Sequence, residues 1–356
     1  VTYAEGYADN SGELKPLVLV GGGSDLGEDM DDGSVVNNDC GTTKGNLIYL
    51  LDAVTGSVVN TFSTARSVPG AVTVVPISDD DLRIAYAYAV DPGGNVYRIS
   101  GGTYGSGPGD ASYDPQIIGS TNPTQWIITK IASLGCATKD PCDANRKFLF
   151  GPDVVRISEN DQLGILVGSG DREKPLRDYR ATLGVQNYFD SLVDQPSNKD
   201  WLDDDPVVCG ADIICQDSLA VLDPNDLVEG VAPTVKGWKL ELRPGEQVVT
   251  GAITIDNVVN FSTHIPTPNE SCTAKYGTAT AYNLDYLDAE GTDSEFLGGG
   301  LVPTPVAGKV IIDGVRVPFC IGCGAEGSPI GVGKVGGGIT WTQPRSRVYW
   351  NIDQAE

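Results

Sequence analysis

The stretch 84–100, IAYAYAVDPGGNVYRIS, constrains the fold of this chain more than any other. Residues 84–90 are β-prone and apolar, and residues 96–99 place apolar side chains on either side of Arg98. Between these two runs, Pro92 presets φ and the two glycines after it permit positive φ, which together favour a tight turn. The stretch therefore predicts a β-hairpin with an aromatic and apolar second strand.

Similar strand ends recur along the chain. Residues 45–56, GNLIYLLDAVTG, repeat the Gly-Asn pair and the tyrosine of the hairpin, and weaker copies follow at 219–223, 279–285 and 346–352. A strand–turn–strand unit that returns every few tens of residues is typical of a β-propeller blade. We therefore predict an all-β fold, a modified β-propeller. An ordinary β-sandwich with chance repeats is the alternative.

Glycine and proline content supports this fold class and bears on domain organisation. The 356 residues include 45 glycines and 22 prolines, which predicts many tight turns and few long helices. We expect residues 1–356 to form a single propeller domain or the C-terminal part of one. The polar segment 172–206 is predicted to be a surface insertion, within which 188–193 suits a short helix or a strand. Since the chain begins at Val1, without Met or a signal sequence, we expect a processed product or a fragment.

The charge balance excludes several partners. The chain carries 48 acidic and 24 basic residues, for a formal net charge of −24. This excess of negative charge argues against binding to nucleic acid or to anionic lipid. No run of 18 apolar residues exists, so no membrane span is predicted. Such acidity suits a soluble extracellular surface, calcium binding, or both.

Eight cysteines indicate disulfides and an oxidising compartment. Three pairs are close in sequence: Cys136 with Cys142, Cys209 with Cys215, and Cys320 with Cys323. Cys40 and Cys272 remain and would have to pair at long range. A zinc site is disfavoured because the chain has a single CxxC and a single histidine. Thioredoxin-like chemistry at Cys320 and Cys323 is disfavoured because no βαβ pattern surrounds them.

Few residues indicate catalysis. His264 is the only histidine, and its place in an alternating strand favours a structural role. No Ser-His-Asp or Cys-His arrangement can be assembled from the sequence. Asp171, Arg172 and Glu173 follow a strand and a glycine turn, where either an active-site cluster or a turn-stabilising ion-pair group fits.

Several motifs, in order, resemble the PilY/PilC-type family of type IV pilus biogenesis and tip-adhesin proteins. Residues 88–91 (YAVD) and 94–99 (GNVYRI) resemble the family's YAGDxxGNxWRxD hallmark, and residues 166–175 (LVGSGDREKP) resemble its GSGDREKP stretch. Residues 237–249, GWKLELRPGEQVV, resemble its GWYLDL…GERVV, and here we predict a hairpin through Pro244 and Gly245. Residues 261–266 with Cys272 resemble the segment that follows.

The resemblance implies the C-terminal propeller of this family and a non-enzymatic role. That role is to support pilus assembly together with minor pilins at the pilus tip, with attachment to a host or surface ligand as a second role. It implies an extracellular protein at the cell surface and pilus tip, reached through the periplasm, and an N-terminal adhesive region in the full-length family member. The alternative is a secreted propeller enzyme, such as a quinoprotein-like dehydrogenase, although the five tryptophans show no funnel for a quinone.

Calcium is the one cofactor that the acidic loops suggest. The family has a calcium loop directly before its YAGD strand, and Asp79 and Asp81 match two of the ligands, whereas the positions of the others hold Pro76 or Ile77 and Ala85. The loop 25–39 offers a second candidate, because Asp29 and Asp31 precede Gly33 at a calcium-loop spacing. No bidentate glutamate follows at the usual interval, and solvated acidic surface is the alternative for both loops.

Overall fold

The computed structural model describes residues 1–29, 44–78, 80–135, 145–158, 161–176, 180–203, 206–255, 257–267, 276–296, 299–312 and 315–324. Within these ranges the regular secondary structure is nearly all β-strand, as predicted. The two α-helices are single turns, α1 (Arg180–Gly184) and α2 (Pro206–Cys209), and three 3-10 turns lie at Leu26–Asp29, Pro123–Gln125 and Gln216–Ser218. In the described part of the chain, no helix is long and apolar enough to cross a membrane.

The strands form five sheets that follow one another along the chain. The first sheet contains β1 (Leu17–Gly21), β2 (Leu47–Asp52) and β3 (Val58–Ser63). The second contains β4 (Thr73–Pro76), β5 (Ile84–Val90), β6 (Asn95–Thr103) and β8 (Ile127–Ser133), and β7 (Asp114–Gln116) pairs with the end of β6. The third contains β9 (Asp153–Ser158), β10 (Gln162–Gly168), β11 (Tyr188–Asp194) and β14 (Gly237–Glu241).

The remaining strands follow the same plan. The fourth sheet contains β15 (Gln247–Val248), β16 (Ile253–Ile255), β17 (Val258–Ile265), β18 (Thr278–Asp285) and β19 (Gly291–Glu295), and the fifth contains β20 (Val306–Ile312) and β21 (Val315–Ile321). Antiparallel pairing dominates every sheet, and many of the pairs join strands that are consecutive in sequence, as in the meander of a propeller blade. The predicted hairpin 84–100 is confirmed, since Ala87 pairs with Ile99 and Val90 pairs with Val96.

The hydrophobic core lies between consecutive sheets. On β5, Tyr86, Tyr88 and Val90 pack in one cluster with Leu163 and Ile165 of the third sheet. The alternate residues of β5 face the first sheet, where Ala87 and Ala89 cluster with Ile48, Leu50 and Phe62. Because both faces of β5 are buried, its sequence is a continuous apolar run rather than an alternation. The first three sheets therefore stack face to face in chain order, which agrees with the predicted modified propeller.

The third and fourth sheets are joined by an aromatic stack. Phe189 of β11 lies parallel to Phe261 of β17, with ring centroids 3.8 Å apart, and Phe261 stacks on Tyr282 of β18 at 5.0 Å. Trp238 of β14 packs beside Phe189 at 6.2 Å. All four side chains are buried, so this stack is the centre of the contact between the two sheets.

Part of the segment 172–206, which the sequence predicted to be a surface insertion, lies inside a sheet. Residues 188–194 form β11, which lies between β10 and β14 in the middle of the third sheet. The sequence left helix and strand open here because Asp190, Ser191 and Asp194 are polar. They are nevertheless buried, and each makes hydrogen bonds inside the sheet stack. Polar side chains with buried partners thus replace the apolar pattern that would have marked a central strand.

The predicted hairpin through Pro244 and Gly245 is also wrong. The strand before this turn, β14, pairs with β11, whereas the strand after it, β15, pairs with β17 of the next sheet. The turn itself exists, closed by Glu246 N donating to Arg243 O at 2.8 Å. It carries the chain from the third sheet to the fourth.

One segment, residues 209–222, closes the outer edges of two sheets and is called the edge segment below. Its first strand, β12 (Ile214–Cys215), pairs in parallel with β8 of the second sheet. Its second strand, β13 (Ala220–Leu222), pairs in parallel with β14 of the third sheet. The Cys209–Cys215 disulfide closes a short loop at the start of the segment. The segment therefore ties two neighbouring sheets together at their rims.

Two of the predicted disulfides are present in the structure. Cys209 is bonded to Cys215, and Cys320 at the end of β21 is bonded to Cys323. Cys40, Cys136, Cys142 and Cys272 lie outside the described residues. The pairs Cys136–Cys142 and Cys40–Cys272 therefore stay predictions.

Candidate functional site at the motif face

The first family-like motif ends in a turn held by a buried carboxylate. Asp91 is fully buried and accepts hydrogen bonds from Asn95 N at 3.1 Å, from Asn95 Nδ2 and from Tyr97 OH at 2.9 Å. Burial raises the pKa of Asp91, and these donors act in the opposite direction. Gly94 adopts φ +71°, and a Cβ there would lie 2.5 Å from Gly135 N. The turn therefore needs glycine at this position.

The second family-like motif forms a similar turn after β10. Asp171 is buried between two cations, with its Oδ2 3.2 Å from Lys174 Nζ and 3.5 Å from Lys147 Nζ. Its backbone N–H donates to Gln247 Oε1 at 2.7 Å. A Cβ on Gly170 would lie 2.5 Å from Val248 O, so only glycine fits beside the fourth sheet. Glu173 completes the group, 3.5 Å from Lys147 Nζ, and its side chain is 58% exposed.

Residues 145–151 join the two turns. Asn145 Nδ2 and Phe148 N both donate to Pro92 O at 3.3 Å, and Gly170 N donates to Lys147 O at 2.8 Å. The loops 91–95, 145–151 and 168–174 thus lie side by side at one end of the second and third sheets. They form the motif face. Two motifs that are far apart in sequence are neighbours there, and Lys147, which sequence reasoning missed, lies between them.

The motif face is a braced and mostly buried junction, since residues 91–95 and 145–148 are buried. Of the two interpretations of Asp171, Arg172 and Glu173, the contacts of Asp171 and Glu173 favour the ion-pair group, because both carboxylates are engaged by lysines. Buried, mutually paired charges hold backbone in one arrangement. Glu173 is the member of this group that faces solvent.

Two further polar clusters inside the sheets were not singled out from the sequence. Arg98 of β6 is buried and donates through NH1 to both oxygens of Asp194, at 2.7 and 2.8 Å, and Tyr88 OH donates to the same carboxylate at 2.7 Å. The NH2 group of Arg98 donates to Tyr113 OH at 2.6 Å. A lone arginine inside an apolar strand, as in VYRIS, is the signal that could have indicated a buried partner.

The other cluster surrounds Asp190 of β11. Gln216 Nε2 donates to Asp190 Oδ1 at 3.0 Å, while Asp190 Oδ2 and Gln216 Oε1 are buried without hydrogen-bond partners among the described residues. Burial raises the pKa of Asp190 to about 7, whereas the charges of Arg146 and Lys239 and the Gln216 hydrogen bond lower it. Arg146 and Lys239 both lie over the ring of Tyr188, 4.7 and 5.0 Å from its centroid.

Of the predicted calcium ligands, Asp81 and Asp29 are described, one from each candidate loop, so both pairs stay predictions. The Asp81 carboxylate accepts hydrogen bonds from Arg83 Nε at 2.8 and 3.0 Å, and this contact lowers the pKa of Asp81 to about 2. Asp29 lies in the 3-10 turn Leu26–Asp29, while Asp79 and Asp31 are outside the described residues. Among the described residues, no group of three or more His, Cys, Asp or Glu side chains is arranged to hold a metal ion.

Two acidic residues at the start of the loop 25–39, Asp25 and Glu28, accept hydrogen bonds within the fold. Asp25 accepts hydrogen bonds from Gly27 N at 3.0 Å and Lys44 N at 2.9 Å. Glu28 is buried and accepts from Ser67 N at 2.8 Å, and burial raises the pKa of Glu28. These two acids therefore stabilise loop backbone.

His264 lies on β17 and is buried, with Nε2 2.8 Å from Tyr276 O. A cavity of about 290 Å³ beside it is lined mainly by apolar residues, among them Pro175, Pro266 and Leu301. This contact to a backbone carbonyl fits the structural role expected for the histidine.

Comparison with known proteins shows a likeness of fold. No protein-family model matches the sequence, and no curated protein sequence matches it. Among solved structures, the chain is similar to the C-terminal domain of PilY1 from Pseudomonas aeruginosa, with a TM-score of 0.50 and 15% sequence identity. The match covers 77% of this chain and 64% of that chain, so this chain spans less than two thirds of that domain. At this identity the similarity concerns the fold: the sheets described above are arranged like those of the PilY1 C-terminal domain.

Proposed function

We propose that this chain is a non-enzymatic module of a type IV pilus-associated protein that supports pilus assembly and surface attachment. The fold similarity to the PilY1 C-terminal domain is one support. The other is the order of the family-like motifs along the sequence.

The single observation that carries the proposal is the motif face. Residues 91–95 and 168–174, which resemble two separate hallmarks of the family, lie next to each other across residues 145–151. Two stretches that are distant in sequence thus meet in one braced and mostly buried junction, from which Glu173 reaches solvent. We propose that the exposed edge of this junction, at Glu173, contacts minor pilins at the pilus tip.

The chemistry of the face favours binding over catalysis. A catalytic acid or base must reach a substrate, whereas Asp171 and Lys174 are buried and paired with each other at 3.2 Å. Rigid backbone on a braced scaffold is what a recognition surface needs. We further propose that the protein is secreted through the periplasm, because the Cys209–Cys215 and Cys320–Cys323 disulfides suit an oxidising compartment.

The test is co-sedimentation of the purified chain with sheared type IV pili from a pilus-producing strain. We expect the chain to sediment with pili and to remain in the supernatant with pili from a strain that lacks minor pilins. Glu173→Lys should weaken sedimentation, because it reverses the exposed charge of the face. Glu13→Lys, an equal charge change at an exposed site of the N-terminal segment, should leave it unchanged.

Two outcomes would contradict the proposal. One is sedimentation that does not depend on minor pilins. The other is equal loss of binding in Glu173→Lys and Glu13→Lys, which would indicate a general charge effect.

A further inference from the structure

A second surface lies at the opposite end of β10 from the motif face. A cavity of about 320 Å³ lies between the third and fourth sheets, beyond Gln162 at the start of β10. Every described side chain that lines it is uncharged, and its apolar and aromatic members include Trp201, Trp238, Tyr286, Val193, Val235 and Leu287. Its volume is at the lower end of the range for ligand cavities and suits a side chain rather than a folded partner.

Three side-chain donors in the cavity walls make hydrogen bonds to backbone carbonyls of the protein itself. Trp238 Nε1 donates to Tyr286 O at 2.9 Å, and Ser191 Oγ donates to the same carbonyl at 3.1 Å. Trp201 Nε1 donates to Val193 O at 3.1 Å. The indole N–H groups therefore bind protein backbone, and the cavity presents mainly apolar surface to an incoming group.

Exposed apolar residues continue the cavity surface outward. Val235 is 74% exposed and Leu287 is 44% exposed, and both line the cavity. Val228, on the loop that leads to Val235, is 76% exposed. Apolar side chains grouped around a cavity mouth gain free energy when a partner removes them from water.

The loops around this mouth are strongly acidic. Residues 223–235 run beside residues 285–291, joined by Val231 N donating to Asp288 O at 2.7 Å and by Gly291 N donating to Leu227 O at 2.8 Å. Together these loops expose five acidic residues beyond the cavity wall, Asp223, Asp226, Glu229, Asp288 and Glu290.

The cations of the surrounding loops do not offset this charge. Along residues 195–203, 223–237 and 285–291, all within the described part of the chain, there are two lysines. Lys236 lies over the Trp201 ring, 3.8 Å from its centroid, and Lys199 pairs with Asp200 at 3.8 Å. An apolar cavity inside a negative rim is complementary to an apolar group flanked by positive charge.

We propose that this cavity docks an extended basic segment of a partner protein, which inserts one large apolar side chain between lysine or arginine residues. A second copy of this chain is a poor occupant, because two molecules of net charge −24 repel each other. The proposal rests on the cavity and its rim and does not depend on the proposed pilus function.

Fluorescence anisotropy with a labelled synthetic heptapeptide tests it. The probe carries one central phenylalanine flanked on both sides by lysines, and two control peptides replace either the phenylalanine by alanine or the lysines by glutamates. We expect saturable binding of the probe that weakens with salt, and binding of each control that is weaker by about tenfold or more.

Variants locate the binding on the protein. Val235→Ser with Leu287→Ser should weaken probe binding about tenfold, and Glu229→Lys with Glu290→Lys should weaken it similarly and flatten the salt dependence. Glu13→Lys, exposed on the N-terminal segment, should bind as the native chain does. All these positions are exposed, so melting curves should show folded protein in each case.

Five results would overturn the proposal. Four of them are absence of saturable binding, equal binding of the glutamate peptide, equal binding by the cavity variants, and self-association of the native chain that competes with the probe. The fifth is displacement of the probe by a neutral oligosaccharide whose own binding is lost in the cavity variants, which would assign the cavity to sugars. Failure here leaves pilus co-sedimentation unaffected, so the two proposals fail separately.

Discussion

Arg98 places a charged side chain in the core of this propeller-like fold, where stability depends on its buried partner. Its guanidinium and the Asp194 carboxylate are both buried, and Tyr88 and Tyr113 each make a further hydrogen bond to the pair. Removing one partner leaves the other charged and unpaired in the interior, which costs about 3–5 kcal/mol. We expect Arg98→Met to lower the free energy of unfolding by that amount in urea titrations.

The matched control is Arg83→Met. Arg83 also pairs with carboxylates, those of Asp81 and Glu5, but its side chain is 34% exposed. Water can solvate the charges that remain, so its loss should be much smaller than that of Arg98→Met. Equal losses in the two variants would show that the buried pair contributes no more than a surface pair.

The raised pKa of Asp190 predicts how the stability of the protein depends on pH. Its pKa is raised by burial from 3.8 to about 7, so the folded protein keeps a proton that the unfolded chain releases between these values. The contribution of this carboxyl to stability is therefore full below about pH 4 and lost as pH rises to about 7. Asp190→Asn should raise the melting temperature at pH 8, with a gain that shrinks toward pH 5.

The groups that face Asp190 are the same in the native chain and in the asparagine variant, so they do not confound the comparison. Arg146, Lys239 and Gln216 favour its charged form, and they remain in place in the asparagine variant. Asp114→Asn, on the exposed side of β7, removes the same charge outside the core and should leave the pH dependence of melting unchanged. A gain for Asp190→Asn that is as large at pH 5 as at pH 8 would refute titration of Asp190 in this range.

The contact between Asp81 and Arg83 leads to a prediction about calcium binding at this loop. Its carboxylate is bound by Arg83, and a calcium ion would have to displace that guanidinium. We therefore expect millimolar calcium to raise the melting temperature no more for the native chain than for Asp81→Asn, with magnesium as the control ion. A calcium-specific rise that Asp81→Asn abolishes would establish the family's calcium loop in this chain.

At the scale of elements, the edge segment depends on its disulfide. Cys209 and Cys215 close a short loop, which on the loop-entropy model stabilises by about 2 kcal/mol. Replacing both by serine should therefore loosen β12 and β13. Hydrogen exchange is expected to rise at residues 214–222 while β5 and β6 stay protected.

The Cys320–Cys323 disulfide supplies the comparison. It closes a loop at the end of β21, away from the edge segment, so its double serine variant should leave exchange at 214–222 unchanged. Similar exchange increases at the edge segment in both variants would mean that the Cys209–Cys215 bond has no local role there.

The elements also show what the sequence could and could not predict. The hairpin of β5 and β6 was predictable because its turn residues and apolar runs act locally. β11 was only partly predictable, since Asp190 and Asp194 are buried with partners that come from other elements. The turn at Pro244 was predictable, but turn chemistry does not determine whether the next strand joins the same sheet or the following one.

The candidate site was predictable in its parts and not in its arrangement. Both family-like motifs could be read from the sequence. Their contact through residues 145–151 depends on how the second and third sheets stack, which local patterns do not encode. The same holds for Lys147, whose role follows from its position beside Asp171.

At the scale of the whole molecule, the core between sheets predicts cooperative unfolding. Phe261 belongs to the fourth sheet but stacks on Phe189 of the third. Phe261→Ala removes that contact and should cost about 3–5 kcal/mol. We expect a single melting transition that moves to lower temperature, because neither sheet keeps its core without the other.

An exposed site provides the control for this prediction. Val228→Ala, at a side chain that is 76% exposed, should shift the transition little. Two separate transitions in Phe261→Ala, one of them at the native temperature, would show that the sheets unfold independently.

The edge segment also has a consequence for biosynthesis. The second sheet is complete in its antiparallel strands once β8 has been made, yet its rim stays open until β12 emerges much later in translation or export. An open strand edge is a template for pairing with other chains. We therefore expect nascent chains that stop before residue 214 to aggregate through that rim more readily than chains that include β12.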